Sequence, residues 1–210
     1  MAKHTAPRLR GGTKTRAAEL LVGLFVFAVG IVCLYEARLG LSCWDVLNQG
    51  VAKHSPLSFG EANIAVSVVV LTTAALLGAR IGIGTASNAV LVGAFVDQLL
   101  RIEWVTDRAH DPLAVRIGLL ALGIALMGIA TALYVGASFG AGPRDSLMLV
   151  LSLRTHVRIS IVRGVLEAVP LVIGFALGGK VGVGTLVYVV AIGPVVEASF
   201  ALADRSPFTL

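Results

Sequence analysis

Charge is scarce in this chain, and that scarcity excludes more than any motif does. Only 14% of the 210 residues are Asp, Glu, Lys or Arg, against about 25% in a typical soluble domain. With 57% hydrophobic residues and a mean hydropathy of +0.90, a water-soluble globular fold is excluded and the lipid bilayer is the expected surrounding. Cysteine is nearly absent: Cys33 and Cys43 make no disulfide framework, and neither stands at metal-ligand spacing from a His or a second Cys. The four histidines fall into no catalytic spacing. No enzyme, no metal centre and no cofactor is therefore expected. A phosphate-cradling Gly-rich loop with its Lys is missing too, which disfavours ATP hydrolysis.

A net charge of +5 and a pI near 9.7 would indicate nucleic acid in a soluble protein. Here the cations stand at the ends of apolar runs, so they read as orientation signals and no nucleic-acid partner is expected. Lys14 and Arg16 precede the first run, with Lys3, Arg8 and Arg10 before them. This places both termini in the cytoplasm.

What the chain does have is apolar runs long enough to span, each needing roughly 20 residues. They are Ala17–Tyr35, Ala62–Ala79, Gly84–Leu100, Leu113–Val135, Val162–Gly178 and Gly182–Ala203. The first imitates a signal peptide, but Glu36 and Arg38 follow it where small cleavage-site residues belong, so it is expected to remain as a span. The organisation reads as a basic tail (1–16), a first membrane repeat (17–104), a connection (105–112), a second repeat (113–203) and a C-terminal tail (204–210).

The word repeat rests on self-similarity at a shift of 100 positions. Gly40–Leu47 (GLSCWDVL) returns as Gly140–Leu147 (GAGPRDSL), and Gly82, Gly84 and Thr85 return as Gly182, Gly184 and Thr185. Asp97 is matched by Glu197. In the first loop Ser42 is expected to cap a helix with Asp45 at its third position. In the second, Gly142 takes the cap and Pro143 the first helical position, where it lacks only an orphan N–H. Each loop thus starts a helix, over 44–53 and 144–153, that is about half a bilayer long and does not cross. Gly78 and Gly178 are expected to close the preceding spans, with Thr85 and Thr185 capping the next ones.

With those residues in view, the chain resembles the YczE/YyaS/YitT family of bacterial integral membrane proteins. The likeness rests on Trp44-Asp45, Ser58-Phe-Gly60, GIGTASNAVLVGAFVD from Gly82, GAGPRDSLM from Gly140 and VRGVLE from Val162. It covers nearly everything after residue 16. Family members usually have Gly-Pro before the Trp-Asp pair, where this chain has Ser42-Cys43. The resemblance implies a bacterial cytoplasmic (inner) membrane location. The family is largely without an assigned activity, and some members have been proposed to move small molecules.

Three spans per copy is an odd number, so two copies in one chain lie in opposite orientations. The expected fold class is all-α: about six transmembrane helices as two inverted three-helix repeats, each with a short non-crossing helix. Inverted repeats with short or broken helices at matching places are the architecture of many secondary transporters, whose sites form near the midplane between the repeats. Charges inside spans are site candidates by default, which singles out Asp97, Arg163, Glu167 and Glu197, with Asp45 and Asp145 at the loops. Arg163 and Glu167 sit i, i+4 on one helix face, where they can also neutralise each other as an internal bridge. Gly40, Trp44, Gly140, Pro143, Arg144, Gly82, Gly84, Thr85, Gly182, Gly184 and Thr185 are expected to shape loops and turns. A small-molecule transporter is the first functional reading. A non-transporting partner or scaffold for another membrane protein is the alternative, and no feature of the sequence sets an oligomeric state.

Overall fold

A computed structural model describes residues 12–79, 81–102, 111–140 and 142–204, with only the backbone described at 159, 160 and 204. The expected 105–112 connection and the two tails lie largely outside these residues. Within them the chain is all helix and no strand: α1 (Thr13–Ala37), α2 (Cys43–Lys53), α3 (Phe59–Leu76), α4 (Ile83–Leu100), α5 (Leu113–Gly136), α6 (Pro143–Thr155), α7 (Ile159–Ala176) and α8 (Val183–Asp204). Five of these are long and apolar enough to cross a membrane, namely α1, α3, α4, α5 and α8. The chain is a polytopic, all-α membrane protein. The sixth expected span is α7, as long as α3 and α4 at 18 residues, but carrying Arg163, Glu167 and an internal Pro170. At 11 and 13 residues, α2 and α6 are about 16 and 20 Å long, short of a hydrocarbon core of about 30 Å.

Local chemistry sets the helix ends. Ser42 Oγ accepts from the Asp45 N–H at 3.2 Å and starts α2. Ser58 and Glu61 form a reciprocal capping box at the start of α3, with the Ser58 N–H donating to Glu61 Oε2 at 2.8 Å. Pro143 occupies the first turn of α6, as its missing N–H allows. Gly78 and Gly178 sit at φ +86° and +75°. There the Ala79 N–H bonds to Ala74 and the Gly179 N–H to Gly174, so both helices close in paired 6→1 and 5→2 turns.

Two expectations need correction. The first helix starts at Thr13, ahead of the apolar run, because Gly12 takes the cap and Arg16 finds a partner inside the fold. Thr85 and Thr185 are not N-caps. Gly82 caps α4, and the hydroxyls of Thr85 and Thr185 reach back to accept the Gly82 and Gly182 N–H groups, each at 3.3 Å. Both threonines are fully buried.

The centre of the molecule is the antiparallel pair α1 and α5. Small residues let their backbones approach: a Cβ on Gly30 would stand 3.0 Å from the Gly123 carbonyl oxygen, and one on Gly123 2.8 Å from that of Gly30. Arg16, at the start of α1, donates to the Ala137 carbonyl past the end of α5 at 2.9 Å. Arg116, at the start of α5, donates to the Ala37 carbonyl ending α1 at 2.8 Å. The same exchange recurs at the glycine turns. The Gly84 N–H bonds to Phe139 at 3.0 Å and the Gly184 N–H to Leu39 at 2.8 Å. Gly40 and Gly140, at φ +131° and +128°, press onto Thr185 and Thr85 so closely that a Cβ would stand 2.6 and 2.5 Å from the hydroxyl oxygens. Only glycine fits there.

One pair of helices does not follow this exchange. In the first half α3 and α4 pack face to face, a Cβ on Gly93 falling 2.4 Å from the Gly60 carbonyl and 2.5 Å from Ile64. In the second half α7 and α8 touch only marginally. Gly193 and Gly164, the counterparts of Gly93 and Ile64, each face open space. α7 packs instead on α2, where Gly174 receives the backbone of Val46 and Leu47.

Candidate functional site: a cavity between the two halves

A cavity of about 330 Å³ lies where all eight helices converge. Five pairs of positions related by the shift of 100 line it together: Trp44 with Arg144, Asn63 with Arg163, Ser67 with Glu167, Asn88 with Tyr188 and Val92 with Ile192. Phe27, Thr131 and Tyr134 add walls from the central helices, while Asp145 and Met148 come from α6. Phe27 and Tyr134 meet edge to face at 6.1 Å. The Arg144 guanidinium lies 4.7 Å above the Trp44 ring, a cation–π contact between the two matching positions themselves.

Of the sequence candidates, Asp145, Arg163 and Glu167 are brought together at this cavity, and Trp44, Pro143 and Arg144, expected only to shape loops, line it as well. Among the described residues Arg163 and Glu167 are each recorded beside a group on another helix. Arg163 acts on Asp145 across the α6–α7 boundary, together with Arg144. Glu167 interacts with the thiol of Cys43 on α2. The i, i+4 spacing permits a bridge, but these neighbours stand on other helices, which the spacing alone does not reveal.

Asp45 sits just behind the cavity wall and is spent locally. Its carboxylate accepts from the Ser42 hydroxyl and from Asn48 Nδ2 at 3.3 Å, and Arg144 acts on it electrostatically. On these two non-spanning helices, burial raises the carboxyls of Asp45 and Asp145 from the ordinary range. The opposing pull comes first from Arg144 at Asp45 and first from Arg163 at Asp145. Burial and the neighbouring Glu167 carboxylate push the Cys43 thiol up to about 12, so it stays protonated.

The other two carboxylates lie elsewhere. Asp97 accepts from the Gly60 N–H at 2.8 Å and from the Ser58 hydroxyl, which ties the end of α4 to the start of α3. Glu197, its counterpart, is exposed on α8. The glycines and threonines at 40, 82, 84, 85, 140, 182, 184 and 185 form the two seams between the halves, away from the cavity.

The sequence reading passed over Asn63, Asn88, Tyr134 and Tyr188. Asn63 and Ser67 are 3% and 8% exposed, line the cavity, and have no hydrogen-bond partner among the described residues. A signal for them existed: Asn63 and Ser67 are four apart inside an apolar run and fall at the positions matched by Arg163 and Glu167.

Comparison with known proteins adds kinship to this geometry. Residues 14–200 match the profile described as a family of unknown function, DUF6198. An uncharacterized protein of Haemophilus influenzae is 34% identical over 191 residues, covering 90% of this chain and 84% of its own. The uncharacterized membrane protein YczE of Bacillus subtilis is 31% identical over 179 residues, 84% of this chain and 81% of its own. YyaS of the same organism, also uncharacterized, is 28% identical over 195 residues, 88% and 95% of the two chains. No solved structure matches.

Proposed function

The chain belongs to the DUF6198 family, alongside the membrane proteins YczE and YyaS, and on that footing we propose that it is a secondary transporter of a small molecule whose site is the cavity between the two halves. It works without enzymatic chemistry, in the bacterial inner membrane, with both termini in the cytoplasm. The two halves act as inverted repeats. The observation that carries this reading is the cavity wall, built from five pairs of matching positions and holding arginines and carboxylates within a bundle of membrane-spanning length. Charges in such surroundings are costly to maintain unless they face a cavity or each other. A wall of matching positions is what a site on the axis between inverted repeats requires.

The test is reconstitution of the purified protein into proteoliposomes, with uptake of a metabolite panel measured with and without a pH gradient. Uptake that depends on Arg163 and Glu167 supports the proposal. Absence of uptake for every solute, with stable co-purification of another membrane protein, would favour the scaffold alternative.

A further inference from the structure

We propose that the cavity takes an organic cation with an apolar body, bound with its ammonium on Glu167 and admitted from the bilayer between α7 and α8. The inference rests on the reading of the cavity as the site, but not on movement of anything across the membrane.

The two arginines at the cavity share an acidic neighbour, since Arg144 and Arg163 both act on Asp145 and Arg144 acts on Asp45 as well. Glu167 is recorded beside the Cys43 thiol, a weak donor, and beside the Tyr188 ring. A carboxylate inside a membrane protein and beside a cavity calls for a positive charge from the occupant. Across the cavity from Glu167, at the matching positions, Asn63 and Ser67 offer a buried amide oxygen and a hydroxyl oxygen that nothing in the fold occupies. An ammonium with N–H groups would satisfy both; a quaternary one would still satisfy the carboxylate. The aromatic walls suit the same class. Trp44 already accepts a guanidinium on its face, and Phe27, Tyr188 and Phe200 complete an apolar lining.

The route follows from the unequal halves. Between α3 and α4 the path is shut by Gly93 against Gly60 and Ile64, with Asp97 fastening the helix ends. Between α7 and α8 the positions matching Gly93 and Ile64, Gly193 and Gly164, face open space. Leu166 and Glu167 of α7 and Ile192 and Val196 of α8, each within three residues of one of these glycines along its helix, line the cavity. Outside the gap the helices present Val165, Val169, Val190 and Leu186, all exposed and apolar. A polar cavity that opens between two apolar faces admits an amphiphile from lipid, head first.

The experiment uses the full chain in lipid nanodiscs and measures equilibrium binding by calorimetry and association rates by stopped-flow tryptophan fluorescence, Trp44 being in the cavity wall. The probes are benzyltrimethylammonium and benzenesulfonate, similar in size and opposite in charge. The cation should bind and the sulfonate should not. Glu167→Gln should weaken cation binding by roughly tenfold or more, whereas Glu197→Gln, on the exposed face of α8, should not change it. If Glu167→Gln fails to fold, Glu167→Asp keeps the charge and must retain the preference for cation over anion. Gly193→Leu, whose side chain enters open space, should leave the fold intact and slow cation association. Sulfonate binding, cation binding indifferent to Glu167→Gln, or no binding of either probe overturns the assignment. An unchanged association rate in Gly193→Leu overturns the route. Uptake of another solute by a protein that ignores the ammonium would sink the cation and leave transport standing; ammonium binding with no uptake of any solute would do the reverse.

Discussion

Asp97 and Glu197 occupy matching positions with matching chemistry, and the Asp97 carboxylate is held by the residues that start α3. The Asp97 carboxylate sits against the N-terminus of α3, where unpaired N–H groups and the helix dipole favour an anion, and it accepts from the Gly60 N–H and the Ser58 hydroxyl. Asp97→Asn keeps the shape and removes the charge. Hydrogen bonds to a charged group contribute about 1.5–3 kcal/mol, so this variant should lose about that much stability in a detergent thermal melt. Equal melting of the variant and the unaltered protein would remove Asp97 from the fastening of α3 to α4. At Asp97 an intramembrane carboxylate read from sequence as a site candidate is thus a helix fastener, and its surroundings decide this.

At the scale of elements, the contrast between the closed pair α3–α4 and the open pair α7–α8 makes a paired prediction. A Cβ at Gly93 would stand 2.4 Å from a backbone carbonyl, which cannot move without parting the helices. The same atom at Gly193 meets nothing within 4 Å. Gly93→Ala should therefore cost about 1–3 kcal/mol as overpacking or abolish the folded protein. Gly193→Ala should melt unchanged or slightly higher, since alanine is the better helix former by about 1 kcal/mol. Fluorescence-detected size exclusion over a temperature series reads both, and equal losses at the two positions would mean that α7 and α8 also close on each other.

The sequence could not announce this difference, because Gly93 and Gly193 stand in similar surroundings along the chain. It is a tertiary fact, produced by α7 leaning on α2 through Gly174 rather than on α8. What was legible were features with local causes. The short helices follow from Ser42 and from Gly142-Pro143, the closing turns from Gly78 and Gly178, and the small faces of α1 and α5 from Gly23, Gly30 and Gly123. Arg163 and Glu167 were legible as charges in an apolar run, but not their partners, since Asp145 and Cys43 reach them from other helices. Asn63 stayed hidden because one amide in an apolar helix is unremarkable until its neighbours leave it unpaired.

For the whole molecule, the antiparallel packing of α1 against α5 fixes a parity. Arg16 meets the carbonyls past the end of α5 and Arg116 those ending α1, so the two helices run in opposite directions through the membrane. If α3 and α4 both cross and α2 does not, α1 and α5 are separated by two crossings and come out antiparallel, as found. A crossing by α2 would make them parallel, so its 11 residues turn back or lie along the surface. Three crossings then separate residue 13 from residue 112, and with α5, α7 and α8 crossing in turn the end of α8 returns to the starting side. On the proposal made above, from the basic residues ahead of α1, that side is the cytoplasm. In intact cells, a membrane-impermeant maleimide should therefore label Pro112→Cys and spare Thr13→Cys, with labelling of Thr13→Cys appearing only after the membrane is opened. The native Cys33 and Cys43 are half-buried and buried, so the unaltered protein gives the background. Labelling of Thr13→Cys from outside with Pro112→Cys protected would reverse the orientation while keeping the parity. Labelling of both from outside would mean an even number of crossings between them, and the inverted arrangement of the two halves would fall with it.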